Sequence, residues 1–243
     1  VTPPVAVLQA FGATGPVRPL AGGQGTSWRA GDLVLKPEPG GPPLDVVEDG
    51  FRLARPHPAG DGAWTVDGWS ATRWVPGAEP DPAAASTWRT VIEAGRAFHR
   101  ATAQLAPPPA GDGRWAVADR IAWSEVPPRW LPEFAPIAAR LGRVLEPLGP
   151  PQFVHCDLTR NVLVAEGLSP AIIDVSPYWR PTAYAEGVVI ADALSWHEAG
   201  PWLLAEVGVS VPAVARALLF RMATDTGPEW AGRYEKAATA IGV

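Results

Sequence analysis

Along roughly the first 77 residues the hydrophobic positions come in short runs cut by glycine, proline and Asp-Gly pairs. Most of the remaining chain spaces them at helical intervals. After a short apolar segment at 5–11, PLAGGQGTSWRAGDLVLKP reads as strand, glycine-rich turn, strand, with Lys36 closing the second strand. FRLARPHP, GAWTVDG and WSATRWVPG add runs rich in tryptophan, valine and threonine. They are split at Asp61-Gly62 and Asp67-Gly68, which suit tight hairpins. These runs predict a small antiparallel sheet. Four prolines and three glycines between Lys36 and Phe51 leave only 44–49 for a helix of a turn or two.

From 82 to 105, Trp88, Ile92, Gly95, Phe98 and Thr102 fall at near-helical spacing, with Asp81-Pro82 as cap and first-turn proline, so a buried helix is expected. PPPAGDG is a linker, 115–130 fits no single period, and 133–148 reads as an amphipathic helix with Ile137, Leu141, Val144 and Leu148 on one side. Two short strand-like runs at 162–165 and 171–175 then bracket a turn, and helical patterns follow at 186–198, 201–207, 211–224 and 229–241. The pattern gives an α+β protein with a boundary near 77: a sheet-rich lobe over 1–77 and a mainly helical lobe over 78–243.

Composition narrows the setting. With 243 residues a core forms without covalent staples, and the single cysteine, Cys156, fits a reducing, cytoplasmic compartment. A net charge of -5 argues against nucleic acid or an anionic membrane as the main partner. No run approaches a spanning helix, and VTPPVAVLQA lacks the order of a signal peptide. Basic residues are almost all arginine. Only Lys36 and Lys236 are lysines, which draws attention to Lys36 beside its glycine-rich turn.

Candidate chemistry concentrates in HCDLTRN. His155, Asp157 and Asn161 share one loop before a strand, and Asp174 follows at the end of the next strand, 17 residues after Asp157. If the two runs pair as a hairpin, Asn161 and Asp174 come to one end of it. An amide oxygen and a carboxylate are hard ligands suited to magnesium, which leaves the second carboxylate to accept a proton.

A glycine-rich turn, a lysine on the next strand, an H-x-D loop with a following Asn and an Asp closing the next strand is the order of parts in kinases. HCDLTRN followed by IIDVS resembles the aminoglycoside phosphotransferase and choline kinase branch of the protein-kinase-like superfamily. The block from HCDLTRNVLV through IIDVSPYWRP to IADAL is similar to a bacterial set within it. The resemblance implies a two-lobed kinase-like fold and an ATP- and Mg2+-dependent phosphotransferase acting on a hydroxyl of a small molecule, sugar-like or aminoglycoside-like. Asp157 would orient or deprotonate the acceptor hydroxyl, Asn161 and Asp174 would hold magnesium, and Lys36 would contact ATP phosphates. Gly22, Gly23 and Gly25 would bring backbone N–H groups to the phosphates, with a hydroxyl from Thr26 or Ser27, and the backbone near Arg73, Trp74 and Val75 would meet the adenine. His155 would fix the loop, and Asp192 resembles the helical Asp that hydrogen-bonds this loop. His99 reads as a satisfied core histidine. Tyr178, Trp179, Arg180, Trp196 and Trp202 fall where the superfamily builds acceptor sites, although tryptophans more often fill a core; lining a site, they would favour a flat, sugar-like or cationic acceptor.

The sequence departs from the pattern in three places. Asn161 follows Asp157 by four residues where five is usual, Cys156 stands where Gly is usual, and the segment after Lys36 has little room for the helix whose Glu pairs with that lysine. Glu48 is then the best partner, with Glu38 and Asp45 behind it. These departures motivate an alternative: a catalytically weak or inactive nucleotide-binding pseudokinase with a regulatory or scaffold role.

Overall fold

A computed structural model describes residues 1–20 and 25–243. The first part of the chain forms α1 (Val5–Ala10), β1 (Val17–Pro19), β2 (Trp28–Ala30), β3 (Leu33–Lys36), β4 (Arg52–Leu53) and β5 (Ser70–Arg73). Helices α2 (Ala85–Thr102), α3 (Arg114–Ala122) and α4 (Ala135–Gly142) follow, then strands β6 (Gln152–His155), β7 (Val162–Ala165), β8 (Leu168–Ile172) and β9 (Pro177–Arg180). Helices α5 (Thr182–Trp196), α6 (Trp202–Val207), α7 (Val211–Thr224) and α8 (Ala231–Ala240) complete it. Two compact units result: Val1–Ala78 with Leu163–Asp174, and Glu79–Val162 with Val175–Val243.

In the first unit β1, β2, β3 and β5 form one antiparallel sheet in that order. The alternation along β3 sets the two faces. Leu33 and Leu35 are buried in one cluster with Val7 of α1 and Phe11 just past it, and Val34 and Lys36 lie on the opposite face. Lys36 thus closes the third strand of the sheet, because the Gly31-Asp32 turn divides the run expected to be one strand. Val66 and Trp69 exchange both backbone hydrogen bonds across Asp67-Gly68, the expected tight hairpin.

FRLARPHP does not join this sheet as a full strand. Arg52 and Leu53 pair in parallel with Ala171 and Ile172 of β8, whose other neighbour is β7. The Arg52 guanidinium ties this arrangement by donating to the carbonyls of Ser169 (2.8 Å) and Pro76 (3.0 Å). The proline-broken segment after Leu53 stops the strand at two residues.

In the second unit α5 is apolar on every side, as its central place requires: Tyr184, Val188, Val189, Ile190 and Leu194 are all buried, and it packs on α2, α7 and α8. Helix α3 resolves the segment of mixed period. Helix α4 ends at Gly142 rather than 148: glycine weakens the helix there, and Pro147 disfavours helical backbone at Glu146 beyond it. Helix α2 begins at Ala85, because Asp81 spends its side chain on the Ala83 N–H in the preceding turn. Where α5 meets α7, the backbone carbonyl of Ala213 approaches Gly187 so closely that an added Cβ would lie 2.4 Å from its oxygen. Backbone cannot yield as a side-chain tip does. Gly187→Ala is therefore expected to destabilise the protein by about 1–3 kcal/mol, read as a lower urea midpoint at unchanged slope; an unmoved midpoint would contradict this packing.

Candidate active site

Strand β6 pairs antiparallel with β9, so His155 lies opposite Pro177 and the 156–161 loop starts from a fixed strand end. His155 Nδ1 accepts the backbone N–H groups of Asp157 (3.2 Å) and Ser176 (3.3 Å), which holds the loop to the segment entering β9. The expected loop-fixing role of His155 is visible in these two bonds. The N–H of His155 in turn donates to His99 Nε2 of α2 at 3.1 Å. At the other end the Asn161 N–H donates to Leu158 O (3.0 Å), with Arg160 at φ 65° between them, so four residues suffice to close the loop.

Asp157 is gripped at three atoms. Asn161 Nδ2 donates to its backbone carbonyl (2.7 Å) and to Oδ2 (3.3 Å), while Arg221 Nη2 donates to Oδ1 (2.9 Å). Arg221, on α7, also holds Asp192 of α5 through Nε (2.7 Å) and Nη2 (2.6 Å). Burial opposes the charge on this guanidinium, but Asp192 and Asp157 outweigh it and raise its pKa above the ordinary arginine value. Asp192 thus reaches the loop through Arg221. Nothing in the local sequence announces Arg221 as part of the site. Its one signal is that it and Arg216 are the sole charges in the apolar run AVARALLFRM.

The remaining expected residues divide by unit. Gly22 and Gly23 lie outside the described residues. Gly25, Thr26 and Ser27 lie in the β1–β2 connection, which a Leu20 N–H to Ser27 O bond (2.9 Å) closes at its base. Lys36, with its side chain 16% exposed, forms an ion pair with Asp174, and Glu38 lies 4.0 Å from its Nζ. Glu48 is not its partner: its carboxylate receives Arg55 Nε (2.6 Å) and the Leu53 N–H (3.1 Å). Asp174, just past β8, is one of a few non-glycine residues at positive φ, 50°. At the end of β5 the N–H groups of Arg73 and Trp74 are already bonded, to the carbonyls of Arg55 and Asp32 (both 2.8 Å), and the Trp74 ring lies under Arg29 at 4.0 Å.

Of the residues after Asp174, Trp196 serves packing and Arg180 ion pairing. Trp196 packs edge-on to Trp230 and Tyr234, and Arg180 is committed to Asp119 and Glu125. Core packing thus takes Trp196, whereas Trp202 stays 46% exposed. Tyr178 packs edge-on to Phe220, and the half-exposed Trp115 of α3 lies 5.9 Å from the Arg221 guanidinium. Cys156 is buried, and burial together with the Asp119 charge pushes its thiol well up, so it is no nucleophile.

A family model described as the phosphotransferase enzyme family, APH, matches residues 44–175, more than half of the chain. An aminoglycoside phosphotransferase from Alicyclobacillus acidocaldarius has a similar structure at 15% identity, with 95% of this chain and 89% of that chain covered and a TM-score of 0.58. Choline kinase LicA from Streptococcus pneumoniae matches at 11% identity, 94% of each chain and TM-score 0.54. Spectinomycin phosphotransferase APH(9)-Ia, in complex with ADP and spectinomycin, matches at 12% identity, with 98% of this chain and 96% of that chain covered and TM-score 0.53. At these identities the likeness establishes the fold, the α+β kinase-like class that the motifs implied. No curated protein matches the sequence significantly. Among the described residues no helix is long and apolar enough to cross a membrane.

His99 departs from a fully satisfied core histidine, since its buried Nδ1 has no hydrogen-bond partner among the described residues. Burial, then the neighbouring His155, pulls its pKa down to about 3. An unfolded histidine takes its proton near pH 6.5, so from there down to about pH 3 the unfolded chain binds more protons, and stability falls as pH falls. Above that window His99 contributes no slope. His99→Gln is expected to remove up to about 1.4 kcal/mol per pH unit from the dependence of unfolding free energy between roughly pH 6.5 and 5. Denaturant titrations at several pH values check this, and equal slopes in both proteins would contradict it.

Proposed function

As the chain belongs to the phosphotransferase enzyme family, we propose that it transfers the γ-phosphoryl group of ATP to a hydroxyl of a small molecule. The observation that carries this reading is the Asp157 loop: a carboxylate held at three atoms, 43% exposed, directly after an anchored strand. Phosphoryl transfer needs little covalent help, so a fixed carboxylate and matched charges are the parts a protein must supply. The acceptor oxygen bonds to the γ-phosphorus as the bond to the β–γ bridging oxygen breaks. ADP leaves, and the acceptor proton passes by way of Asp157 to solvent.

Asn161 and Asp174 would hold magnesium, and their chemistry fits. The Asn161 Nδ2 is spent on Asp157, which leaves its Oδ1 as an acceptor, and Asp174 adds a carboxylate. Magnesium, when bound, would supply neutralisation of phosphate charge. Lys36 would meet the phosphates, exchanging Asp174 for a phosphate oxygen, and Gly22, Gly23, Gly25, Thr26 and Ser27 are the residues the family resemblance implies for further phosphate contacts. Of the expected adenine contacts Arg73, Trp74 and Val75, the engaged N–H groups of the first two leave the Val75 peptide as the better edge. The neighbours named for aminoglycosides, spectinomycin and choline support an acceptor that is a sugar-like polyol or an amino alcohol. An ATP donor implies a cytoplasmic setting.

Asp157→Ala is expected to abolish magnesium-dependent ADP formation while changing ATP affinity by less than about threefold, because this carboxylate faces the acceptor and not the nucleotide. Coupled-assay turnover and calorimetry on the same preparation measure both, and loss of ATP binding in the folded variant would contradict the role. Binding without turnover in the wild type would favour the pseudokinase alternative.

A further inference from the structure

We propose that Arg221 is a positioning residue for phosphoryl transfer: its guanidinium fixes the Asp157 carboxylate toward the acceptor, and Asp192 fixes the guanidinium. This inference rests on the reading of Asp157 given above. The Asp157 side chain is 43% exposed, and Arg221 Nη2 on Oδ1 with Asn161 Nδ2 on Oδ2 are the hydrogen bonds that set the plane of its carboxylate.

Arg221 has little freedom of its own. Its side chain is 12% exposed, and Nε and Nη2 dock as a fork on the two oxygens of Asp192, itself 7% exposed. One Nη2 hydrogen is spent on Asp192 and the other reaches Asp157, so the direction of the second bond is dictated by the first. The rings of Phe220 (5.3 Å) and Trp115 (5.9 Å) flank the guanidinium and limit its swing.

Charge matching alone does not require the contact with Asp157. Asp192 already neutralises Arg221 one for one, and adding Asp157 leaves the three groups with a net charge of about -1. The Asp192–Arg221 pair already gives the buried guanidinium its counter-ion, whereas the third bond serves the loop. A lysine keeps the charge but not the planar fork, so it cannot hold both carboxylates in this register.

The test follows ADP formation from Mg–ATP with water as the phosphoryl acceptor, using the full chain and its variants Arg221→Lys, Asp192→Asn, Asp157→Asn and Asp157→Asn/Arg221→Lys. Circular dichroism sets a temperature at which each variant assayed is folded. Arg221→Lys and Asp192→Asn are each expected to lower kcat about tenfold or more, with KM for ATP changed less than about threefold. Adding Arg221→Lys to Asp157→Asn is expected to change kcat less than about twofold, because the arginine acts through that carboxylate. A merely structural arginine would lower the melting temperature, leave kcat of the folded variants unchanged, or multiply its loss with that of Asp157→Asn. Either kinetic result overturns the proposal. If Arg221→Lys does not fold, Asp192→Asn carries the same kcat-against-KM comparison. Turnover lost in Asp157→Asn but intact in folded Arg221→Lys and Asp192→Asn overturns this inference alone. Turnover that is absent from the wild type, or that Asp157→Asn leaves at the wild-type rate, overturns the phosphotransferase reading and this inference with it.

Discussion

A guanidinium buried between two carboxylates constrains the helical unit. Arg221 loses water on nearly every side, and depriving such a charge of a partner costs about 3–5 kcal/mol, against a typical total stability of about 5–15 kcal/mol. An exposed pair such as Arg89–Glu206 contributes about 1 kcal/mol or less. Helices α5 and α7 must therefore meet in the one arrangement that brings Asp192 to Arg221, and Gly187 permits that approach by leaving room for the backbone of Ala213. The same guanidinium reaches the 156–161 loop, so the core packing and the geometry of Asp157 are linked by a single side chain.

The loop is held from its backbone as well. His155 gathers two N–H groups with one ring nitrogen and rests on His99, which burial keeps neutral and so able to accept. Asn161 closes the turn against Asp157. In the sheet-rich unit the two groups of opposite charge expected to meet phosphate and cation are each other's counter-ions, Lys36 and Asp174. Pairing them satisfies a largely buried ammonium without the additional helix that the sequence has no room to build.

Local order was legible in the sequence wherever a short-range rule governs it. The Asp67-Gly68 hairpin, the alternation that separates Leu35 from Lys36, the apolar α5 and α7, and the H-x-D loop before a hairpin all follow from neighbouring residues. What escaped depends on distant partners. Arg221 meets Asp157 across 64 residues, and only a buried charge within an apolar helix hinted that it needed one. Lys36 was expected to find Glu48 because that acid is near in sequence, yet Glu48 closes its own local turn with Arg55 and Leu53. The tryptophans after Asp174 left a core role and an acceptor platform both open, with the core role the commoner one. Trp196 takes the core role, packed edge-on against Trp230 and Tyr234.

The proposed phosphotransferase requires nucleotide binding that depends on magnesium and on Asp174. Calorimetric titration of ATP with and without magnesium, on the wild type and Asp174→Asn, tests it most directly. The account predicts binding that strengthens with magnesium in the wild type and loses that dependence in the variant. A flat titration of the folded wild type, or magnesium dependence that survives the substitution, would contradict it.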